Sequence, residues 1–212
     1  MASRSTSRLT TVRCRTSDAL TTRIPPPPNP PILSDTGFLL SVAATDLLLP
    51  ILQQRWSGRA KWPRAVHSEL VYRIARPGNG VTSELASRAV ACGRALAGDP
   101  IDLNDEQRVR AELLAEAIGG TDTRQHAGEA AGAVLARDLG GFLACEDIAA
   151  ATLIQAREGV SCITIVGLLH GLHQRGVLAV ADIERILGDL RRHKRPNVEH
   201  ISAGDIAAGP LQ

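Results

Sequence analysis

Short apolar segments that end on a carboxylate constrain the fold of this chain more than any other feature. Residues 32–34 lead into Asp35, and residues 141–145 lead into the pair Glu146 and Asp147. A carboxylate beside an apolar run is rarely buried unless it has a partner. Each run has the length of a short buried strand and is bounded by turn residues. We therefore predict strands that carry acidic side chains at their carboxyl ends.

Strand and helix patterns alternate along most of the chain. Besides the two strands above, strands are predicted at 60–65, 101–103 and 160–165, and helical patterns such as 43–56 and 123–139 separate them. Such alternation is typical of a parallel sheet with helices on both faces. Aromatic residues make up only 2% of the sequence, so the core must consist of aliphatic side chains. We predict an α/β fold, a three-layer α/β/α sandwich with a mostly parallel central sheet.

Composition divides the chain into three parts. Residues 1–31 are rich in Arg and Pro and lack apolar periodicity, which predicts a disordered arm that ends in a polyproline spacer. The folded domain is predicted at 32–195, followed by a flexible tail at 196–212. No segment approaches the roughly 20 apolar residues that a membrane span needs. With no secretory pattern and no CxxC pair, we expect a cytoplasmic protein without a zinc site.

Charge gives no overall preference for a polyanion, because the net charge is only +2. Basic residues cluster in the first 23 residues and again at 191–195. Two interpretations remain open for these clusters: solvated surface, or contacts with a phosphate backbone.

Two further acidic residues complete a candidate site. Glu69 and Glu129 fall in the early turns of predicted helices. In parallel sheets, ligands bind beyond the carboxyl ends of the strands, where Asp35 and the pair at 146–147 are expected. Several carboxylates that meet in one place have a divalent cation as their natural partner. We therefore predict that these four segments converge on one cleft.

The order and local sequence of the acidic segments resemble those of the PIN-domain nucleases, including VapC-type toxins and uncharacterised prokaryotic relatives. The segments that carry the resemblance are 33–40, 62–70, 128–131, 139–147, 163–169 and 175–178. They include Leu-Ser-Asp-Thr-Gly at 33–37 and Gly-Glu-Ala-Ala at 128–131, and together they span about residues 32–192. The chain departs from the family pattern at Ile148, where a basic residue is usual, and in its long insert between Glu69 and Glu129.

The resemblance implies a PIN-like fold and a metal-dependent endoribonuclease that uses Mg²⁺ or Mn²⁺ to hydrolyse RNA. The implied metal ligands are Asp35, Glu129 and either Asp147 or Glu146. Glu69 would assist catalysis by orienting water or by holding a second metal ion. Thr36 and Thr164 would bond to carboxylates or to the substrate phosphate. The implied partners are RNA, an antitoxin protein in the case of a toxin–antitoxin pair, and a second copy of the chain.

Two other functions stay open from the sequence. The altered motif at 146–148 is also consistent with a non-catalytic PIN-like module that binds or regulates. A DNA-directed nuclease would use the basic termini as duplex contacts.

Overall fold

The computed structural model describes residues 29–78, 80–119 and 126–209. Most of the predicted N-terminal arm, the first residues of the helix predicted at 123–139 and the last three residues of the chain lie outside the described residues.

The central sheet in the described residues has four short parallel strands in the order β2-β1-β3-β4. Their bounds are Ile32–Ser34 (β1), Ala60–Lys61 (β2), Phe142–Ala144 (β3) and Cys162–Ile163 (β4). In register, Leu33 lies opposite Lys61 on one side and Leu143 on the other. The predicted α/β class with a parallel sheet is confirmed.

Helices connect and cover these strands. Before β3 they are Thr36–Ala43 (α1), Leu48–Arg55 (α2), Arg64–Ala75 (α3), Ser83–Ala97 (α4), Asp105–Gly119 (α5) and Ala127–Leu139 (α6). After β3 they are Ile148–Glu158 (α7), Ile165–Gln174 (α8), Val180–Arg192 (α9) and Ala203–Ala208 (α10). Among the described residues, no helix combines the length and the apolar character that crossing a membrane requires.

The hydrophobic core has two parts, because successive side chains of a strand point to opposite faces of the sheet. Ile32 and Ala144 face a cluster formed by α1–α4 and α8–α10. Leu33 and Leu143 face a smaller, alanine-rich cluster formed by α5–α7. Helices therefore pack on both faces of the sheet, which is compatible with an α/β sandwich.

Four predicted elements near the sheet differ from the structure. The helix predicted at 43–56 is confined to α2 at Leu48–Arg55, and the helix before it, α1, begins directly after Asp35, whose side chain caps it. The strands predicted at 60–65 and 160–165 each have only two residues, because α3 begins at Arg64 and α8 begins at Ile165. The strand predicted at 101–103 is reduced to one bridge, between Pro63 and Ile101.

The tail that was predicted to be flexible from residue 196 contains a short helix, α10, in its described part. Ser202 caps α10 by accepting a hydrogen bond from the Asp205 backbone N–H, and the Asp205 carboxylate accepts one from the Ser202 N–H in return. Val198 and Ile206 are buried in the larger core cluster. These apolar residues are too widely spaced to form a local pattern, so only packing against α8 and α9 reveals the element.

Candidate functional site

The carboxyl ends of β1 and β3 bring acidic residues together. The two strands are neighbours in the sheet, so Asp35 and Glu146 follow adjacent strand ends. The Glu146 backbone N–H donates a hydrogen bond to Asp35 Oδ2 at 3.3 Å. Asp35, Glu129, Glu146 and Asp147 line one cleft of about 380 Å³, which we call the acidic cleft. Segments that are more than a hundred residues apart in sequence therefore share one site.

Both carboxylate oxygens of Asp35 accept hydrogen bonds from backbone N–H groups. It is the N-cap of α1, and its Oδ1 accepts a hydrogen bond from the Phe38 N–H at 2.5 Å. Only 1% of the residue is exposed. Burial raises the pKa of Asp35 to about 6, against the lowering effect of these hydrogen bonds. The backbone thus holds in place a carboxyl whose pKa lies above its ordinary range.

The adjacent residues Glu146 and Asp147 have different environments. Glu146 is buried, and its Oε1 accepts a hydrogen bond from the Ile165 N–H at 2.8 Å. Burial, together with the charge of Asp35, raises the pKa of Glu146 to about 7. Asp147 is partly exposed and caps α7, since its Oδ1 accepts from the Ala150 N–H at 2.9 Å. Both residues line the cleft, but the role of Asp147 as the N-cap of α7 is sufficient to explain an aspartate at this position.

Glu129 enters the cleft from the first turn of α6. Burial, followed by the charge of Asp35, raises the pKa of Glu129 to about 8. The preceding Gly128 allows the close approach of α6: a Cβ there would lie 3.2 Å from both Glu69 Oε2 and Thr36 Oγ1. The Gly-Glu pair at 128–129 therefore places a carboxylate beside the β1 end.

Glu69 lies beside the acidic cleft rather than in its lining. The Thr36 hydroxyl donates a hydrogen bond to Glu69 Oε2 at 2.7 Å, and Arg73 forms an ion pair with Oε1 at 2.9 Å. Thr164 also lies outside the lining, where its hydroxyl caps α8 by accepting from the Gly167 N–H at 3.1 Å. Of the seven residues predicted for the site, the structure brings four into the cleft and anchors Glu69 and Thr36 to each other next to it.

Two polar residues after α9 line the acidic cleft but were not predicted for it. Arg195 is only 6% exposed and donates hydrogen bonds to Ser41 Oγ and to the Gly37 carbonyl oxygen, each at 3.2 Å. Burial lowers the pKa of its guanidinium. Asn197 Nδ2 donates to the Glu146 carbonyl oxygen at 2.7 Å. The basic cluster at 191–195 was the only sequence signal, and it does not distinguish a buried arginine from surface ones.

The donor atoms of the acidic cleft suit a hard divalent cation, which prefers oxygen ligands. Two buried carboxylate oxygens, Glu129 Oε2 and Glu146 Oε2, have no hydrogen-bond partner among the described residues. A cation would compensate both. Among the described residues, however, no group of three Asp, Glu, His or Cys side chains is close enough to hold a metal ion together. The chemistry of the donors fits a metal, and binding would require the carboxylates to approach each other.

These raised pKa values predict that the metal-free protein loses stability as the pH rises. Unfolded carboxyls release their protons near pH 4, roughly, whereas the folded protein retains them on Asp35, Glu146 and Glu129 up to about pH 6, 7 and 8. The folded state binds more protons in this range, so the free energy of unfolding is highest below the range and falls through it. We expect a loss of about 3 kcal/mol or more between roughly pH 5 and 8.5. Urea unfolding in EDTA measures this change, and a flat or rising stability would contradict it.

Comparison of the chain with protein-family models, with curated proteins and with solved structures gives no match.

Proposed function

We propose that this protein is a metal-dependent nuclease that hydrolyses RNA phosphodiester bonds in the acidic cleft. One observation carries the proposal: three carboxyls with raised pKa values meet at the carboxyl edge of a parallel sheet, and two of their buried oxygens have no hydrogen-bond partner in the described part of the chain. Such an arrangement lowers the stability of the folded state, and carboxyls with perturbed pKa values in a cleft are typical of functional sites. The resemblance of the acidic segments to PIN-domain nucleases supports the same function.

The side chains of the acidic cleft would hold the metal ion from different positions. Asp35, Glu129 and Glu146 would hold Mg²⁺ or Mn²⁺, and Asp147 would contribute from the rim. Of the pair at 146–147, we favour Glu146 as the inner ligand because its Oε2 is buried and accepts no hydrogen bond from the residues that the structure describes. Bound metal would stabilise charge on the phosphate and provide a nucleophile at neutral pH.

The residues around the cleft would keep the carboxylates in place. Glu69 is immobilised between Thr36 and Arg73, so its charge acts on Asp35 and Glu129 from a fixed position. Arg195 brings a buried positive charge to the same cleft and would attract the substrate phosphate. The toxin role, the antitoxin partner and the homodimer stay predictions from the resemblance, and the nuclease proposal does not depend on them.

Cleavage of a mixed RNA pool tests the proposal. The parent protein should cut RNA with Mn²⁺ or Mg²⁺ and stop cutting in EDTA. The variant Asp35→Asn should lose cleavage by about 100-fold or more, because replacing even a supporting group of a metal site costs 10- to 100-fold. Asn is also a good helix N-cap, so α1 should still form. Asp99→Asn, at an exposed loop position, is the matched control and should cut like the parent.

Other outcomes would identify the alternative functions. Metal-dependent cutting of duplex DNA in preference to RNA would favour a DNA-directed nuclease. A folded protein that neither cuts nucleic acid nor binds Mn²⁺ in calorimetry would favour a non-catalytic module and overturn the proposal.

A further inference from the structure

A second cavity, of about 280 Å³, adjoins the acidic cleft and is mainly apolar. Ile148, Val166, Ile201 and Ile206 form its apolar side. We call it the α8–α10 cavity, after the helices beside it. It shares wall residues with the acidic cleft, among them Ile148. This isoleucine is 56% exposed, so core packing does not explain its presence at the junction of the two spaces.

Two polar side chains of the α8–α10 cavity, His170 and Asn197, each offer an acceptor. His170 Nδ1 lies 2.7 Å from the Ile206 carbonyl oxygen, which can only accept, so Nδ1 donates. The neutral ring then has Nε2 left as an acceptor for a ligand. Asn197 commits its Nδ2 to the Glu146 carbonyl oxygen, which leaves its Oδ1 as a second acceptor. Both residues line the cavity.

We propose that the α8–α10 cavity binds the nucleobase of a nucleotide next to the phosphate in the acidic cleft, and that it favours bases with an exocyclic amino group. This inference rests on the proposed function and names a base-binding subsite for it. Aliphatic walls cover the apolar faces of a base, and the acceptors match an amino group at its edge. The shared wall with the acidic cleft connects base and phosphate as neighbouring parts of one strand. A base bound in this cavity must be unpaired, so the substrate is single-stranded at this position.

Adenosine binding tests the subsite without any catalysis. The ring Hε1 signal of His170 is followed by NMR in EDTA during titration with adenosine, and it should shift on saturation. Val166→Phe places a larger side chain at the cavity wall and should weaken adenosine binding by about 10-fold or more, as expected for the loss of one base contact. Val180→Phe is the matched control on α9, where the parent valine is 40% exposed, and it should bind like the parent.

The preference for an amino group is tested with a second nucleoside and a second variant. Purine riboside, which lacks the amino group of adenosine, should bind the parent about 3- to 10-fold more weakly, the effect of one hydrogen bond. His170→Asn keeps a donor for the Ile206 carbonyl and removes the Nε2 acceptor. This variant should reduce the difference between the two nucleosides while leaving the melting temperature close to that of the parent.

The outcomes separate this inference from the nuclease proposal. In RNA cleavage, Val166→Phe should lower kcat/KM by about 10-fold or more, and Val180→Phe should leave it unchanged. If the parent cuts RNA but adenosine does not shift His170 and Val166→Phe cuts normally, the subsite is overturned and the nuclease stands. If adenosine binds as proposed but no nucleic acid is cut, the nuclease proposal alone fails. Equal affinity for indole and adenosine would indicate a merely apolar cavity and would also overturn the subsite.

Discussion

Replacing Glu129 by Gln is expected to abolish RNA cleavage and, at the same time, to stabilise the metal-free protein. Cleavage should fall by about 100-fold or more, because the variant lacks a carboxylate that would hold the metal. In EDTA near pH 8.5, the free energy of unfolding should rise by roughly 1–3 kcal/mol, because the neutral amide no longer repels Asp35, Glu69 and Asp147. Near pH 5 most of the difference should be gone, since Glu129, with a pKa raised to about 8, is then already neutral in the folded protein.

The opposite directions of these two effects make the measurement decisive. Cleavage is measured with Mn²⁺ and stability by urea unfolding in EDTA at both pH values. Glu112→Gln, at an exposed position of α5, is the matched control and should change neither quantity. Unchanged cleavage would remove Glu129 from the site, and a less stable variant at high pH would refute the repulsion between the carboxylates.

Truncating Trp62 to Ala is expected to cause the largest loss of stability, about 3–5 kcal/mol. Trp62 follows β2 and precedes α3 in the sequence, and its side chain is fully buried. Its Nε1 donates a hydrogen bond to the Gly98 carbonyl oxygen at 2.9 Å. Gly93 of α4 packs directly on the ring: a Cβ there would lie 2.7 Å from two of its carbons. Removing the indole would leave a cavity that α4 cannot fill without moving.

Chemical denaturation of Trp62→Ala and two related variants checks this expectation. Trp62→Phe should cost less, because an aromatic ring still fills much of the space. Gly93→Ala should destabilise the parent through overpacking but cost less in the Trp62→Ala background, where the ring is gone. A loss below about 1 kcal/mol for Trp62→Ala, or additive effects of the two substitutions, would contradict this packing.

Local sequence patterns, such as short apolar runs, predicted the strands that precede most of the acidic residues of the cleft. Asp35 and the pair at 146–147 follow short apolar runs, so their place at strand ends could be predicted. The sequence did not show that Asp35 itself caps α1, since an aspartate after a strand is equally compatible with a turn. The helix predicted at 43–56 therefore missed α1, which begins at Thr36.

Residues that act through distant contacts escaped prediction. Arg195 belongs to a run of basic residues that could equally be solvated, and its burial depends on Ser41 and Gly37, more than 150 positions away. Ile206 lies in a tail with no apolar periodicity, yet it packs in the core and borders the α8–α10 cavity. No local pattern encodes such pairings, because they depend on how the helices pack around the sheet.

The sequence by itself determined the α/β class, the parallel sheet and the carboxylates at its strand ends, because strand length, helical periodicity and turn residues are local properties. Only the tertiary structure decided how those carboxylates differ. It buried Glu146, whose Oε2 has no hydrogen-bond partner among the described residues, whereas Asp147 caps a helix. It also placed Glu69 beside the cleft, where the Thr36 hydroxyl donates to it. The physical reason is that desolvation and charge repulsion depend on distances between segments, which are set when the core packs.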